Sequence, residues 1–468
     1  MNILIAILTI YLMTGVLSGI TPNHARIAAW VSPAGFILAF VFVVWMYFSG
    51  ETFVFEMKWF SAGSNIFFLN LQAYPHQFPI LIFTTLVAAL VCIYSANYFE
   101  NGKSTVRFFQ TLGFFMFAMM GLLLAANLFL TFIFWELVGL TSYLLIGFYR
   151  ESQDAGPASL KAMLINKVGD AAFMIGLILC WGIYGTFDLN TLTTTAPADE
   201  SLQFFMGLSI FLAITAKSAQ LPMHGWLADA MAGPTPVSAL IHSATMVAAG
   251  IFLLGQYPML FTESVQEIAG YTGLITALLA GWNALSQTKI KRLLAWSTMS
   301  QLGLMVMTSA WHNNTAAGLH LMFHGIAKAG LFLIAGTLLL NGHNHTQQNE
   351  TTPELTTPDF GKSLSRTGSV SLLIVAASLT GLPLTTGFIS KENIASGLSG
   401  IELAGFILIN FLTLLYLSRL LWYIKPWSDF KLRALFKKGD FSPAILALAS
   451  LWISFSINPV GGKNYFNI

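Results

Sequence analysis

Ionisable side chains recur in this 468-residue chain within, or at the ends of, long apolar runs. Lys217 ends the apolar run 204–216, and Pro222 follows five residues later. A lysine at membrane depth is costly unless it is paired or hydrated, and the proline indicates unwound backbone beside it. Such residues are candidates for ion translocation. The full set is Glu136, Lys167, Asp170, Lys217, His242, His320, His324, Lys328, Lys391 and Glu392.

Two of these lysines have a carboxylate in the sequence that could control their protonation. Burial favours the neutral amine of a lysine, whereas a nearby carboxylate favours the charged form. Moving or screening the carboxylate therefore makes the lysine hold or release a proton, as a proton valve would. We expect Glu136 to pair with Lys217, and Glu392 or a neighbouring residue to serve Lys391.

A histidine stripe provides a second kind of chemistry. His320, His324 and Lys328 are spaced i, i+4, i+8 and therefore lie along one face of a helix. Because histidine titrates near neutrality, the stripe suits proton relay through water. Histidines at i, i+4 can also share a metal or a haem, but no third ligand or haem attachment sequence accompanies this pair.

Simpler explanations remain open for some members of the set. Lys167 and Asp170, at i, i+3, could form a local ion pair that only locks two helices. His242 alone could be a packing histidine whose hydrogen bonds are satisfied. Glu136, Lys217, Lys328 and Lys391 are harder to explain structurally, because each buried charge costs several kcal/mol unless it is paired.

The composition predicts an all-α polytopic membrane protein. Of its residues, 56% are hydrophobic and only 9% charged, and the mean hydropathy is +0.70. Runs long enough to cross a bilayer as helix predict about fourteen transmembrane helices in a single membrane domain, 1–468, with the lipid bilayer as a partner. The windows are 2–20, 27–49, 78–98, 108–125, 127–148, 160–184, 203–221, 236–257, 268–286, 293–310, 315–340, 369–388, 401–424 and 441–457.

Other protein classes lack their usual signatures in this sequence. There is no phosphate-binding G-x-x-x-x-G-K-[ST] stretch and no dinucleotide fingerprint. Cys92 and Cys180 lie in separate windows and form no cluster. We therefore expect that the chain binds no cofactor, does not hydrolyse ATP and holds no redox centre. We also expect no nucleic-acid partner.

The basic residues predict an orientation. If every window crosses the membrane, most of the 22 Lys and Arg fall in loops on one side, while Lys58 and Lys463 fall on the other. Basic loops face the cytoplasm. The pattern predicts a multi-pass protein of the cell inner membrane with both termini outside.

Two windows carry an interruption at matching positions, at 217–222 in the seventh and at 381–387 in the twelfth. Five windows separate them, so equivalent segments would cross the membrane in opposite directions. This placement predicts two inverted five-helix repeats, about 108–257 and 268–424, each with a broken helix and an ion site.

Several stretches closely resemble the antiporter-like membrane subunits of proton-translocating complexes, over about residues 80 to 425. That family includes subunit L of NADH:quinone oxidoreductase, the large Mrp sodium/proton antiporter subunits, and DabB, the membrane subunit of inorganic carbon pumps. The stretches are WELVGLTSYLLIGFY (135–149), KSAQLPMHGWLADAMAGPTPVSALIHSATMVAAGI (217–251), KIKRLLAWSTMSQLG (289–303), HLMFHGIAKAGLFLIAG (320–336) and GLPLTTGFISKE (381–392).

The resemblance implies a fourteen-helix core with broken helices seven and twelve, and it implies a role for each matched residue. Glu136 and Lys217 would be the modulating acid–lysine pair, Lys328 the central lysine and Lys391 the exit-side lysine. The hydrated connection between them would be formed by His242, His320 and His324.

Length favours the DabB type within the family, because the chain stops soon after the fourteenth window. The stretch FLNLQAYPHQ before the third window also lacks the Asp of the family's LDGLS-like segment. A DabB-like subunit would use the proton gradient to energise inorganic carbon uptake with a large soluble zinc-containing partner (DabA-like) on the cytoplasmic face. The alternatives are a subunit L-like component of a redox complex, an Mrp-like antiporter subunit, and a non-conducting scaffold.

Overall fold

The computed structural model is mainly helical, and its helices follow the apolar windows of the sequence. It describes residues 2–20, 25–62, 65–99, 103–195, 197, 199–311, 313–342, 355, 364–427, 434–437 and 439–456. The helices are α1 (Ile3–Ile20), α2 (Ala25–Ser49), α3 (Phe78–Tyr98), α4 (Lys103–Leu124), α5 (Leu128–Ile146), α6 (Ala155–Tyr184), α7 (Leu189–Thr194), α8 (Glu200–Lys217), α9 (Thr235–Ser243), α10 (Met246–Gln256), α11 (Glu263–Ser286), α12 (Ile290–Ala310), α13 (Asn314–Gly342), α14 (Arg366–Thr380), α15 (Thr386–Ala395), α16 (Gly400–Ile424) and α17 (Phe441–Ser456).

Ten helical segments of the described residues are long and apolar enough to cross a membrane, and two shorter apolar helices accompany them. Each of the fourteen windows falls on one helix or on a pair of consecutive helices. The prediction of a helical polytopic membrane protein is confirmed. The number of crossings and the inverted repeats stay predictions.

A β-hairpin is the one sheet of the described residues, and the sequence analysis missed it. Strands β1 (Phe53–Ala62) and β2 (Asn65–Ala73) pair antiparallel, with Phe53 opposite Ala73. The Phe60 and Phe67 rings stack across the pair at 4.7 Å between centroids. Aromatic and β-branched residues within 53–73 were the available signal.

Contacts between loops and adjoining helix ends fall into two groups that match the alternation of the windows. One group joins Asn2 to Val54, Asn70 to Ala126, Leu128 to Phe187, Gln203 to Met259, and Asn313 to Asn393. The other, which contains the basic loops, joins Arg107 to Phe148, Asp229 to Lys161 and Arg292, Thr288 to Leu355, and Arg366 to Ala434. We refer to the second group as the basic end; the orientation in the membrane and the side on which the termini lie stay predictions.

Both predicted interruptions are breaks in the helices. After α8 ends at Lys217, the chain runs without α-helix until α9, and Ala219 has a positive φ of 50°. α14 is followed by Gly381, whose φ of 80° suits glycine, and α15 begins five residues later. An unpredicted break separates α9 from α10 at 244–245. Broken helices of this kind leave backbone carbonyls and amides free near the middle of the bundle.

The most enclosed helices carry the histidines and the central lysine. Within the segment Thr235–Gln256 the most apolar 18-residue window is entirely buried, and 94% of the corresponding window of α13 is buried. The corresponding windows of α2, α6 and α16 are only 33%, 39% and 39% buried. α9, α10 and α13 therefore form the interior of the bundle. Their polar side chains are shielded from lipid by other helices.

Candidate ion-translocation site

Four charged side chains form a continuous series between α5, α6 and α8, which we call the carboxylate cluster: Glu136, Lys167, Asp170 and Lys217. Lys167 forms an ion pair with Glu136, and its Nζ lies 3.6 Å from Asp170 Oδ2. Lys217 Nζ lies 3.7 Å from Asp170 Oδ1. Positive and negative groups alternate along the series, so a shift of one member changes the field at the next.

Glu136 and Lys217, which the sequence predicts as a pair, form no direct ion pair in the described structure, because Lys167 and Asp170 stand between them. Glu136 points towards α6, where Lys167 reaches it. Lys217 instead passes close to α5 at Gly139, where a Cβ would lie only 2.6 Å from Nζ. Glycine at this position therefore leaves room for the ammonium group.

Trp135 holds the buried half of the carboxylate cluster. Its indole nitrogen donates a hydrogen bond of 2.9 Å to Asp170 Oδ1. The Lys217 ammonium lies 5.6 Å from the centroid of the Trp135 ring, within the range of a cation–π contact. The tryptophan thus orients the acid and faces the cation, and it was not among the predicted residues.

The carboxylate cluster is graded from exposed to buried. The side chains of Lys167 and Glu136 are 46% and 28% exposed, whereas those of Asp170 and Lys217 are 3% and 1% exposed. A cavity of about 160 Å³ opens beside the outer members and has room for water. Its lining is formed by Glu136, Leu137, Gly139, Leu140, Met163, Asn166, Lys167 and Asp170.

Lys328 occupies the interior on α13, in different surroundings. Its Nζ donates hydrogen bonds to the Ser297 hydroxyl and, over 3.1 Å, to the Leu294 carbonyl of α12. Among the described residues no carboxylate lies within 4.0 Å of it. Neutral oxygens therefore solvate this lysine in place of a counter-ion.

The side chain of Lys391 reaches across the break between α14 and α15. Its Nζ donates a 2.6 Å hydrogen bond to the carbonyl of Leu379, in the last turn of α14 where helical acceptors are free. Glu392 is exposed and makes no ion pair with Lys391 in the described part of the chain. The suggestion that Glu392 serves Lys391 is wrong in this structure, since consecutive helical residues point about 100° apart.

The three predicted histidines are all buried in the interior. His320 contacts the Ser390 hydroxyl through Nδ1 at 2.9 Å and the Gln301 amide oxygen through Nε2 at 3.1 Å. His324 and His242 have no hydrogen-bond partner at either ring nitrogen among the described residues. Buried polar groups are normally hydrogen-bonded to protein or water, so these two rings are suited to hold water.

One face of α9 extends this polar interior, and most of it was missed in the sequence. Thr235, Ser238 and His242 are spaced i, i+3, i+7 and share a face. Their hydroxyl and ring atoms are buried, and none has a partner in the described ranges. The spacing of the polar residues in TPVSALIH (235–242) was the available signal. We call this set the α9 stripe.

The α9 stripe begins at the basic end of the bundle. There Asp229 pairs with Lys161 at 2.6 Å and with Arg292 at 2.9 Å. Lys291, in the first turn of α12, is buried and donates to the Gly233 carbonyl at 2.7 Å. The stripe therefore leads from charged groups at the surface to His242 inside.

The predicted site residues thus fall into two groups. The carboxylate cluster holds four of them, and the interior group comprises His242, His320, His324, Lys328 and Lys391. Only Glu392 faces away from both. Among the described residues, no three His, Cys, Asp or Glu side chains come together as a metal site would require.

Comparison with known proteins relates the chain to a family of membrane subunits. The family described as NADH:quinone oxidoreductase/Mrp antiporter, transmembrane, matches residues 125–416. The chain is 38% identical over 353 residues to NAD(P)H-quinone oxidoreductase subunit 5, organellar chromatophore 1, of Paulinella chromatophora, covering 72% of this chain and 52% of that protein. It is 38% identical over 378 residues to NADH-quinone oxidoreductase subunit L of Escherichia coli (strain K12), covering 78% and 60%.

A solved structure shares the fold. The structure of the Mrp complex from Dietzia sp. DQ12-45-1b matches with a TM-score of 0.82 at 24% identity, over 96% of this chain and 50% of that chain. The present chain spans roughly half the length of the curated relatives it matches. With the family match extending from α5 to α16, the chain belongs to the NADH:quinone oxidoreductase/Mrp antiporter family of multi-pass, antiporter-like membrane subunits.

Proposed function

We propose that this chain translocates protons across the cell inner membrane as one subunit of a larger complex, most closely of the NADH:quinone oxidoreductase type. The observation that carries the proposal is the enclosed series of lysines and histidines, from the carboxylate cluster to Lys391. Packing alone does not require three lysines buried at 0–6% exposure in one bundle.

The carboxylate cluster can work as a valve because Lys167 stands between two acids. When Lys167 pairs with Glu136, Asp170 is left to stabilise the charged form of Lys217. A shift of Lys167 towards Asp170, only 3.6 Å away, neutralises that acid. Lys217 then loses its counter-ion in a buried environment and releases its proton.

The interior group supplies the route for that proton. Lys328 and Lys391 are held by carbonyl and hydroxyl oxygens, so either lysine can be neutral without leaving a buried carboxylate unpaired. Among the described residues, His242 and His324 carry unpaired ring nitrogens that water can bridge. A proton can therefore move along α9 and α13 through side chains and water.

The relatives named above are oxidoreductase subunits and an Mrp complex, which favours the redox alternative over the DabB-like inorganic carbon pump expected from length. The zinc-containing DabA-like partner has no independent support. Affinity purification of the tagged chain in mild detergent distinguishes the complexes. Flavin and iron–sulfur subunits in the purified complex would support the redox type, whereas a large soluble zinc protein as sole partner would contradict it.

Proton translocation itself is tested in the purified complex reconstituted in liposomes, with a pH-sensitive dye inside. Under an imposed membrane potential we expect Lys217→Ala and Glu136→Gln to lower proton flux about tenfold or more, while the complex still assembles. Lys58→Ala, on the exposed hairpin, is the matched control and should leave flux unchanged. Full flux in a well-assembled Lys217→Ala, Glu136→Gln double variant would refute the valve.

A further inference from the structure

His320 differs from the other interior histidines in having a protein partner at each ring nitrogen. Gln301 of α12 faces Nε2, and Ser390 of α15 faces Nδ1. All three side chains are buried, with exposures of 2%, 1% and 0%. Neither contact was anticipated from the sequence. Because each partner has a limited set of donors and acceptors, the contacts determine where the histidine carries hydrogen.

The orientation of the Gln301 amide follows from Thr413 on α16. The Thr413 hydroxyl donates its single hydrogen to the Ile409 carbonyl at 2.8 Å. Its oxygen then only accepts, and it receives hydrogens from the Gln301 amide nitrogen at 3.0 Å and from the Tyr416 hydroxyl at 3.2 Å. With its nitrogen committed to Thr413, Gln301 presents its oxygen to His320.

An amide oxygen accepts hydrogen bonds and cannot donate them. His320 Nε2, 3.1 Å from this oxygen, must therefore carry a hydrogen in the neutral ring as well as in the charged one. The neutral ring then has its bare nitrogen at Nδ1, facing the Ser390 hydroxyl at 2.9 Å.

Ser390 can satisfy both states of the ring. Towards neutral His320 the hydroxyl donates to Nδ1. Towards charged His320 it accepts from Nδ1–H and turns its own hydrogen to the Gly387 carbonyl, which lies 3.1 Å away. A rotation of one hydroxyl thus replaces the reorganisation that a buried charge would otherwise require.

We propose that Gln301 and Ser390 are positioning residues that restrict proton exchange by His320 to Nδ1, the side that faces α15. The transport consequence rests on the proposed function, but the assignment of the tautomer does not.

The restriction gives the interior group a direction. Ser390 and Gly387 belong to α15, the helix that follows the break and also carries Lys391. The charge of His320 therefore sets the hydrogen-bond state of this helix beside its lysine. His324, one turn along α13, has no protein partner among the described residues to select a nitrogen. At His320, in contrast, contacts with Gln301 and Ser390 determine which ring nitrogen exchanges its proton.

The tautomer is tested directly by ¹⁵N NMR of the full-length chain in lipid, labelled at histidine. The His320→Gln variant identifies the His320 signals by their loss. We expect Nε2 to stay protonated in both charge states while Nδ1 alone gains or loses hydrogen with pH. A neutral ring with hydrogen on Nδ1 would overturn the proposal, whether or not the chain translocates protons.

The Gln301→Leu variant tests the cause of the restriction. Removing the amide oxygen removes the acceptor at Nε2, so we expect both neutral tautomers of His320 to appear. The Ser390→Ala variant should retain the Nε2–H tautomer, because Gln301 is intact. A single Nε2–H tautomer in Gln301→Leu would show that another group sets it and would refute the role of Gln301.

Proton flux in the reconstituted complex tests the role of Ser390. We expect Ser390→Ala to lower flux about tenfold and Ser390→Thr, which keeps the hydroxyl, to recover most of it. The matched control is Ser450→Ala, since Ser450 is equally buried and donates to a carbonyl of its own helix α17. Wild-type flux in Ser390→Ala would refute the role of Ser390, whereas absence of flux in the wild type would refute the proposed function instead.

Discussion

The carboxylate cluster and the interior group stabilise buried lysines with different kinds of partner. Lys217 is stabilised by a carboxylate 3.7 Å away, and that acid is shared with a second lysine. Lys328 and Lys391 are bound by carbonyl and hydroxyl oxygens. In the first region a carboxylate therefore balances the charge of the buried lysine, whereas in the second no described carboxylate does so.

The two regions also differ in how far their side chains are exposed at the surface of the chain. The outer half of the carboxylate cluster is exposed on the surface of the chain, so a neighbouring subunit could alter the field there. The histidines and Lys328 of the interior group lie on α9 and α13, which other helices enclose, and Lys391 is buried on α15. Under the proposed function, a change of field at Glu136 and Lys167 would act on the protons of the more deeply buried lysines.

The largest effect is expected for Asp170→Ala. This change leaves the Lys217 cation and the Trp135 indole hydrogen without their buried partner, which costs about 3 kcal/mol of unfolding free energy. Thermal and chemical unfolding of the purified chain in detergent measures it. The double variant Asp170→Leu, Lys217→Met should recover most of the loss, because apolar side chains replace both charges. Equal instability of the single and double variants would contradict the ion-pair account.

A smaller effect on stability is expected for Lys328→Met. Since no described carboxylate depends on this lysine, its loss should cost less than about 1.5 kcal/mol, the range of ordinary hydrogen bonds. Proton flux should nevertheless fall about tenfold, because the interior group loses a titratable member. A loss of stability as large as that of Asp170→Ala would remove the distinction between the two regions.

The smallest effect is expected in the α9 stripe, at Ser238→Ala. Removing a buried hydroxyl that has no described protein partner should weaken water binding and lower proton flux about threefold. Ser243→Ala is the matched control, because the Ser243 hydroxyl already donates to the Ala239 carbonyl at 2.5 Å. Equal effects of the two changes would argue against a hydrated route along this face.

Much of the architecture could be predicted from the sequence, for a specific physical reason. Apolar runs of membrane length and breaks at Pro222 and Gly381 are local features, and a helix satisfies its backbone hydrogen bonds within its own segment. The same locality placed His320, His324 and Lys328 on one face of α13. The family resemblance came from contiguous stretches as well, and the match over 125–416 confirmed it.

Which of these side chains contact one another depends on the tertiary structure. The pairing of Glu136 with Lys167, the contact of Lys217 with Asp170 and the outward direction of Glu392 depend on how α5, α6, α8 and α15 are rotated and how closely they approach. The burial of Lys291 and the binding of His320 by Gln301 and Ser390 depend on helices distant in sequence. The ionisable groups and the helices that carry them follow from local features of the sequence. Their partners were decided by packing, since a rotation of a helix by one residue, about 100°, exchanges one neighbour for another.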